Sequence, residues 1–196
     1  MFSERSRQAP GYDAIAPVVR ALLVALGFSP EQDEGLAGTP DRCMRAWQEM
    51  VSGYDRVAEE VLGTTFPGEG YDSVVVLKDV SFVSVCEHHL MTFTGKASVA
   101  YLPQSRVVGL SKMARLVDMH ARRLQVQERM TIDIAKDLER VLKPLGVAVV
   151  VRAVHSCMEF RGVRKAGTEM VTSSMLGRFR TNIEARQEVL ALMGRK

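Results

Sequence analysis

Cysteine is scarce in this 196-residue chain: three residues, an odd number, too few for a disulfide framework and in keeping with a reducing compartment. Aromatic residues make up only 6%, with one tryptophan, and they are not interleaved with any long lysine or arginine run. That removes the usual signature of a nucleic-acid surface. Charge is nearly balanced, at +3. No apolar run approaches the roughly 20 residues that cross a bilayer, and Met1 to Gly11 is polar, without a hydrophobic segment of secretory type. The expectation is a soluble, cytoplasmic protein with neither a membrane nor a nucleic-acid partner, whose first ten residues lack fixed structure. What is present is 46% hydrophobic residues, enough for one good core.

The few cysteines and histidines are placed unevenly. Cys86-Glu87-His88-His89 is answered far downstream by His155-Ser156-Cys157, and these two clusters hold three of the four histidines. Cys86 and His89 have a spacing that lets a tight turn aim thiolate and imidazole at one ion, and Cys157 can add a second sulfur. Two sulfurs and one nitrogen suit zinc, and three protein ligands leave a tetrahedral position for water, the arrangement of hydrolytic rather than structural zinc. A lone C-x-x-H is weak by itself, because a buried cysteine beside a histidine is common core material. His120, beside Arg122 and Arg123 in a helical stretch, reads as a surface residue, and Cys43 as a packed one.

Hydrophobic periodicity orders the rest. Residues 12–27 predict an amphipathic helix with Ile15, Val18, Val19, Leu22 and Leu23 on one stripe. Ser29-Pro30-Glu31-Gln32 has the form of a helix start, and Thr39-Pro40 opens a third helix running to about Ser52, with Arg42 and Arg45 on one face. Beyond the Gly/Pro-rich stretch 63–70, Val74–Val85 and Gly95–Leu102 predict a hairpin with the metal cluster in its loop. Residues 111–143 are helical with a break near Arg123-Leu124-Gln125. Val147–Phe160 and Glu169–Phe179 predict two more strands. On an extended strand His155 and Cys157 would share a face and Ser156 would point away from it. Thr181-x-x-Glu184 has the form of a capping box for a last helix. The expected fold class is α+β: an N-terminal helical region (1–70), then a domain (71–196) with a four-stranded antiparallel sheet covered by two helices on one face. Such a sheet keeps open edges and an uncovered face, which oligomerisation would resolve.

These residues resemble a known family. Cys86-Glu87-His88-His89-Leu90, Gly95-Lys96, Gly109-Leu110-Ser111-Lys112-Met113-Ala114-Arg115, Arg123 through Arg129, His155-Ser156-Cys157 through Arg161-Gly162, Thr39-Pro40-Asp41-Arg42 and Thr172 through Gly177 occur in the order of GTP cyclohydrolase I. The resemblance implies the T-fold (tunnelling fold), with sheets joined into a barrel in a homodecamer of two pentamers and sites between subunits. It implies conversion of GTP and water to 7,8-dihydroneopterin triphosphate and formate, the opening step toward folate or tetrahydrobiopterin. Zn2+ on Cys86, His89 and Cys157 would lower the pKa of bound water to about 7. His88 and His155 then become general acid/base candidates, and His88 could instead only orient the metal site. Glu128 matches the guanine reader, with Gln127 helping to orient the base. Lys112, Arg115 and Arg161 match the triphosphate contacts, with Arg42 and Arg45 added from the N-terminal helix. Ser111 matches the participant in the rearrangement of the opened ribose. The chain departs from the pattern at Asp41 and Arg45, where other members carry a basic or aromatic residue and a lysine.

Two alternatives stand beside this. A related cyclohydrolase could stop at a formamidopyrimidine, needing only the zinc site with His88 and His155. A catalytically silent, zinc-stabilised oligomer would be expected to have lost a ligand or Glu128, or to have gained a fourth protein ligand. T-fold relatives that reduce a nitrile use a cysteine nucleophile without this triad. The sequence leaves open any regulatory partner and the pathway served.

Overall fold

The computed structural model describes residues 11–194, so the expectation for the first ten residues lies outside it. The chain forms two compact units that divide between Val51 and Ser52. In the first, a 3-10 turn (Tyr12–Ala14) leads into α1 (Ile15–Ala25), α2 (Glu34–Ala37) and α3 (Thr39–Met50). The expected α1 stripe is only half used: Ile15, Val19 and Leu23 are partly buried while Val18 and Leu22 stay exposed. Two helix starts differ from expectation. Ser29 O accepts from Gln32 N and Asp33 N in a turn, and α2 begins later, where the Asp33 carboxylate caps Gly35 N at 2.9 Å. Thr39 is the first residue of α3 rather than its cap, and its hydroxyl accepts from Arg42 Nη2.

The second unit opens with a 3-10 turn (Ser52–Asp55) and α4 (Ala58–Leu62), followed by β1 (Thr65–Pro67), β2 (Val75–Cys86), β3 (Thr92–Leu102) and β4 (Arg106–Val108). Then come α5 (Leu110–Ala121), β5 (Leu124–Gln125), α6 (Gln127–Leu142), β6 (Gly146–His155), α7 (Ser156–Glu159), β7 (Glu169–Gly177), α8 (Arg178–Thr181) and α9 (Ile183–Leu192). The principal sheet runs β5-β2-β3-β6-β7, and β1 pairs separately with β4. Four strands are antiparallel, as expected. The fifth, β5, is a two-residue parallel addition beside β2, formed where the helical stretch 111–143 breaks.

Alternation along the strands sorts the core. Phe93, Ala97, Val99 and Tyr101 of β3 and Val147, Val149, Val151 and Ala153 of β6 face the helices, meeting Met113, Leu116 and Val117 of α5 and Met130, Ile134 and Leu138 of α6. The opposite face is not bare, as the sequence reading expected. Ala100, Leu102, Ala148, Val150 and Met175 pack there against Phe179, Val189 and Met193 from the C-terminal helices. Val83 and Val171 remain exposed. Burial on both faces explains the unbroken apolar texture of β6, which reads as core rather than as alternating strand. Gly95 lies where β3 crosses this strand: a Cβ there would stand 2.0 Å from Arg152 O, so only glycine fits.

Two further expectations are corrected. His120 is 2% exposed, not a surface residue, and its Nε2 lies 2.9 Å from Asp137 Oδ2 on α6. Asp137 in turn accepts from Arg140, which pairs with Glu59. The last helix is capped by Asn182, whose Oδ1 accepts from Ala185 N at 2.8 Å, and Thr181 instead closes α8. Among the described residues no helix is long and apolar enough to cross a membrane.

Candidate metal centre

The β2–β3 connection is tight because three backbone bonds close it. Cys86 O accepts from His89 N and Leu90 N, and Cys86 N donates to Met91 O. Leu90 takes φ +54°, the left-handed conformation that turns the chain back into β3. This brings His89 Nδ1 to 3.5 Å from Cys86 Sγ. Cys157 arrives from beyond β3, at the end of β6, but not by strand alternation: β6 ends at His155, and Cys157 lies in the helical turn α7. Ser156 turns to β3, where its hydroxyl donates to Thr92 O at 2.6 Å and pins the start of that turn.

The ligand atoms of Cys86, His89 and Cys157 all lie within 4.8 Å of one another. Around tetrahedral zinc, sulfur and nitrogen ligands stand about 3.6 Å apart, close to the Cys86–His89 separation. Burial, together with the neighbouring Cys86, pushes the Cys157 thiol up from its ordinary range. A cation shared by the two sulfurs would relieve that opposition. No fourth Cys, His, Asp or Glu joins the group among the described residues. The donor set therefore fits zinc with one position left to a non-protein ligand.

The turn is anchored from below by residues whose role sequence reading missed. Glu87 N donates to Gln125 O of β5, and the Glu87 carboxylate pairs with Arg129 of α6. These two side chains are only 10% and 14% exposed. Arg129 also donates to Gln125 Oε1 at 3.1 Å and Leu124 O at 2.9 Å, so one guanidinium ties helix, short strand and metal turn together. The available signal was that Glu87 and Arg129 both sit inside the conspicuous motifs.

Around the triad, the described structure gathers several of the expected residues. His88 is exposed, its ring 6.1 Å from that of His89. Burial, then the positive charges of Arg161 and His88, holds His89 below the usual imidazole range, which places Arg161 in the electrostatic neighbourhood of the ligands. His155 stacks on Phe93 with ring centroids 4.5 Å apart and planes within 3°. Burial lowers its pKa, opposed by the Glu128 carboxylate, so Glu128 in the first turn of α6 lies within electrostatic reach. Gln127 is 1% exposed and bonds to His155 Nε2 at 2.9 Å. Ser111 and Arg115 are exposed on the first turns of α5, with Lys112 partly covered. Arg42 and Arg45 belong to the other compact unit, where Arg42 is turned back on Gly35 O and Thr39.

A solved archaeosine synthase QueF-Like in its apo form aligns with 54% of this chain and 94% of its own at 22% identity and a TM-score of 0.45, too low to set the fold. GTP cyclohydrolase 1 of Brucella suis is 47% identical over 96% of this chain and 89% of its own length. The protein of the same name from a Synechococcus strain is 51% identical over 92% of this chain and 78% of its own. The profile of GTP cyclohydrolase I spans residues 15–194, a range that includes Cys86, His89 and Cys157. By profile and by relatives alike, the chain belongs to the GTP cyclohydrolase I family.

Proposed function

We propose that this chain is a GTP cyclohydrolase I, opening the imidazole ring of GTP with water, releasing formate and closing the product to 7,8-dihydroneopterin triphosphate. The observation that carries the reading is the convergence of Cys86, His89 and Cys157 at metal-ligand spacing, in a chain whose relatives bear that name. Zinc on these three side chains supplies Lewis-acid activation of water near neutral pH. The rest of the work falls to the protein. Breaking C–N bonds requires proton delivery to nitrogen, and His155 and His88 beside the ligands take that role. Glu128 accepts from the N1–H and exocyclic amine of guanine together, a donor pair that adenine lacks. Arg161, Lys112 and Arg115 meet the triphosphate, where guanidinium forks match phosphate oxygens. Arg42 and Arg45 are further candidates for the triphosphate. Ser111 acts on the opened ribose.

The assembly we propose is a homodecamer of two pentamers of T-fold subunits, with sites between subunits. The apolar Val83 and Val171 left exposed on the sheet support it. Light scattering tests the assembly, and a monomer would refute it. Incubation of the zinc-loaded protein with GTP tests the activity, with formate and an oxidisable, fluorescent pterin expected in equal amounts. Formate without pterin would place the chain among cyclohydrolases that stop at a formamidopyrimidine. Neither product would refute the reading.

A further inference from the structure

The Gln127 side chain is fully engaged inside the protein. Its Nε2 stands 3.2 Å from Val151 O, 3.0 Å from Met170 O and 3.2 Å from Thr172 Oγ1. Two of those neighbours are carbonyls, which only accept. The third is committed in the same sense. Thr131 Oγ1 donates to Gln127 O at 2.7 Å, so it has no proton to offer Thr172, 2.7 Å away. Thr172 must donate to Thr131 and turn its lone pairs toward the amide. An amide flipped the other way would set its oxygen against two carbonyl oxygens, so the orientation is fixed.

With Nε2 fixed, Oε1 is the atom facing His155, and it can only accept. The 2.9 Å contact therefore requires a proton on His155 Nε2. Stacking on the fully buried Phe93 sets the plane of the ring, and Gln127 sets which edge points inward.

We propose that Gln127 is a positioning residue that holds His155 in the Nε2–H tautomer, so that Nδ1 is the ring nitrogen that exchanges a proton with the substrate. This rests on the proposed function, and it replaces a direct contact of Gln127 with the base. The neutral Nε2–H ring takes a proton at Nδ1 from the water whose oxygen adds to the purine carbon, and passes it to the purine nitrogen as the C–N bond breaks, returning to the neutral Nε2–H form. The Thr172–Thr131 pair on β7 and α6 makes the tautomer a property of three elements rather than of one side chain.

The test is magic-angle-spinning NMR of zinc-loaded protein labelled with 15N-histidine, where only four histidines contribute. His155→Asn assigns the signal by its disappearance. At a pH where the ring is neutral, His155 is expected with a protonated Nε2 and an unprotonated Nδ1, and a protonated Nδ1 overturns the proposal whatever the variants do. Gln127→Met keeps the length of the side chain and removes the acceptor. Expected are a mixture of tautomers and a fall in kcat of about 10–100-fold, with zinc content and KM for GTP unchanged. A raised KM with the tautomer intact would show Gln127 reading the base instead, and overturns the proposal. Should Gln127→Met fail to fold, the wild-type spectrum still decides. If the wild type releases no formate from GTP, the functional reading falls, while the same spectrum continues to judge the tautomer.

Discussion

Replacing Arg129 by methionine removes a cation paired with Glu87 beneath the candidate metal turn and leaves the carboxylate behind it. Both side chains are largely covered, and the guanidinium also satisfies Gln125 Oε1 and Leu124 O. Breaking a buried pair from one side costs about 3–5 kcal/mol, because the surviving charge stays desolvated after losing its ion-pair partner. The residual exposure of 10% and 14% puts this pair at the lower end, about 3 kcal/mol. For a domain of this size that is a fall in Tm of about 6–12 °C. Glu87→Gln in the same background removes the stranded charge, so the double variant should lose about 1–2 kcal/mol less than the sum of the single changes. Because Glu87 lies between the candidate ligands Cys86 and His89, zinc affinity should also fall about 10–100-fold in Arg129→Met, measured by competition with a chelator. Chemical denaturation of the zinc-loaded proteins completes the cycle. Strictly additive single and double losses would refute the claim that this pair is coupled and buried.

Cys157→Ala should abolish stoichiometric zinc and formate release while circular dichroism and assembly size stay unchanged; a chain that no longer folds would contradict a purely catalytic ion. Glu128→Ala should raise the KM for GTP about 10–100-fold, the worth of a charge-assisted bond, with metal retained, and an unchanged KM would remove it from the guanine pocket. Asp137 supplies a pH signature. Burial alone would push its carboxyl up, and the bonds from His120 and Arg140 outweigh this, holding it below the ordinary carboxylate range. A depressed folded pKa contributes stability that is fully present above the unfolded value, near pH 3.9, and is lost as pH falls through the lower folded value. The stability gap between wild type and Asp137→Asn should therefore be constant from about pH 6 to 5 and shrink below about 4. A gap that persists to pH 3 would count against it.

The group of Cys86, His89 and Cys157 was legible as a candidate metal centre because soft side chains are few and clustered, and the four antiparallel strands because β-branched runs announce themselves. The geometry that joins Cys157 to the others was not. Alternation on an extended strand puts His155 and Cys157 on one face, yet the chain leaves the sheet at His155 and delivers the sulfur on a helical turn. His120 misled for a related reason. Its neighbours in sequence are arginines, while its partner Asp137 lies on the next helix, a contact that no local pattern encodes. Gln127 looked like an adjunct to Glu128 because both open α6. Only the tertiary fold shows one buried against β6 and β7 and the other exposed. The two-residue β5 is too short for periodicity to register, although it holds the Cys86 end of β2.

The strand that ends in His155 is hydrogen-bonded along both edges, from Gly146 to His155 against β3 and from Gly146 to Val154 against β7. Its amides should be among the last to exchange with deuterated solvent, opening only when the whole unit unfolds. The Cys86–Leu90 turn, held by four backbone bonds and the Glu87–Arg129 pair, should breathe much sooner. A metal held on Cys86, His89 and Cys157 would therefore leave by way of the hairpin while His155 stays seated, so the emptied chain would already be shaped for reloading without having to refold.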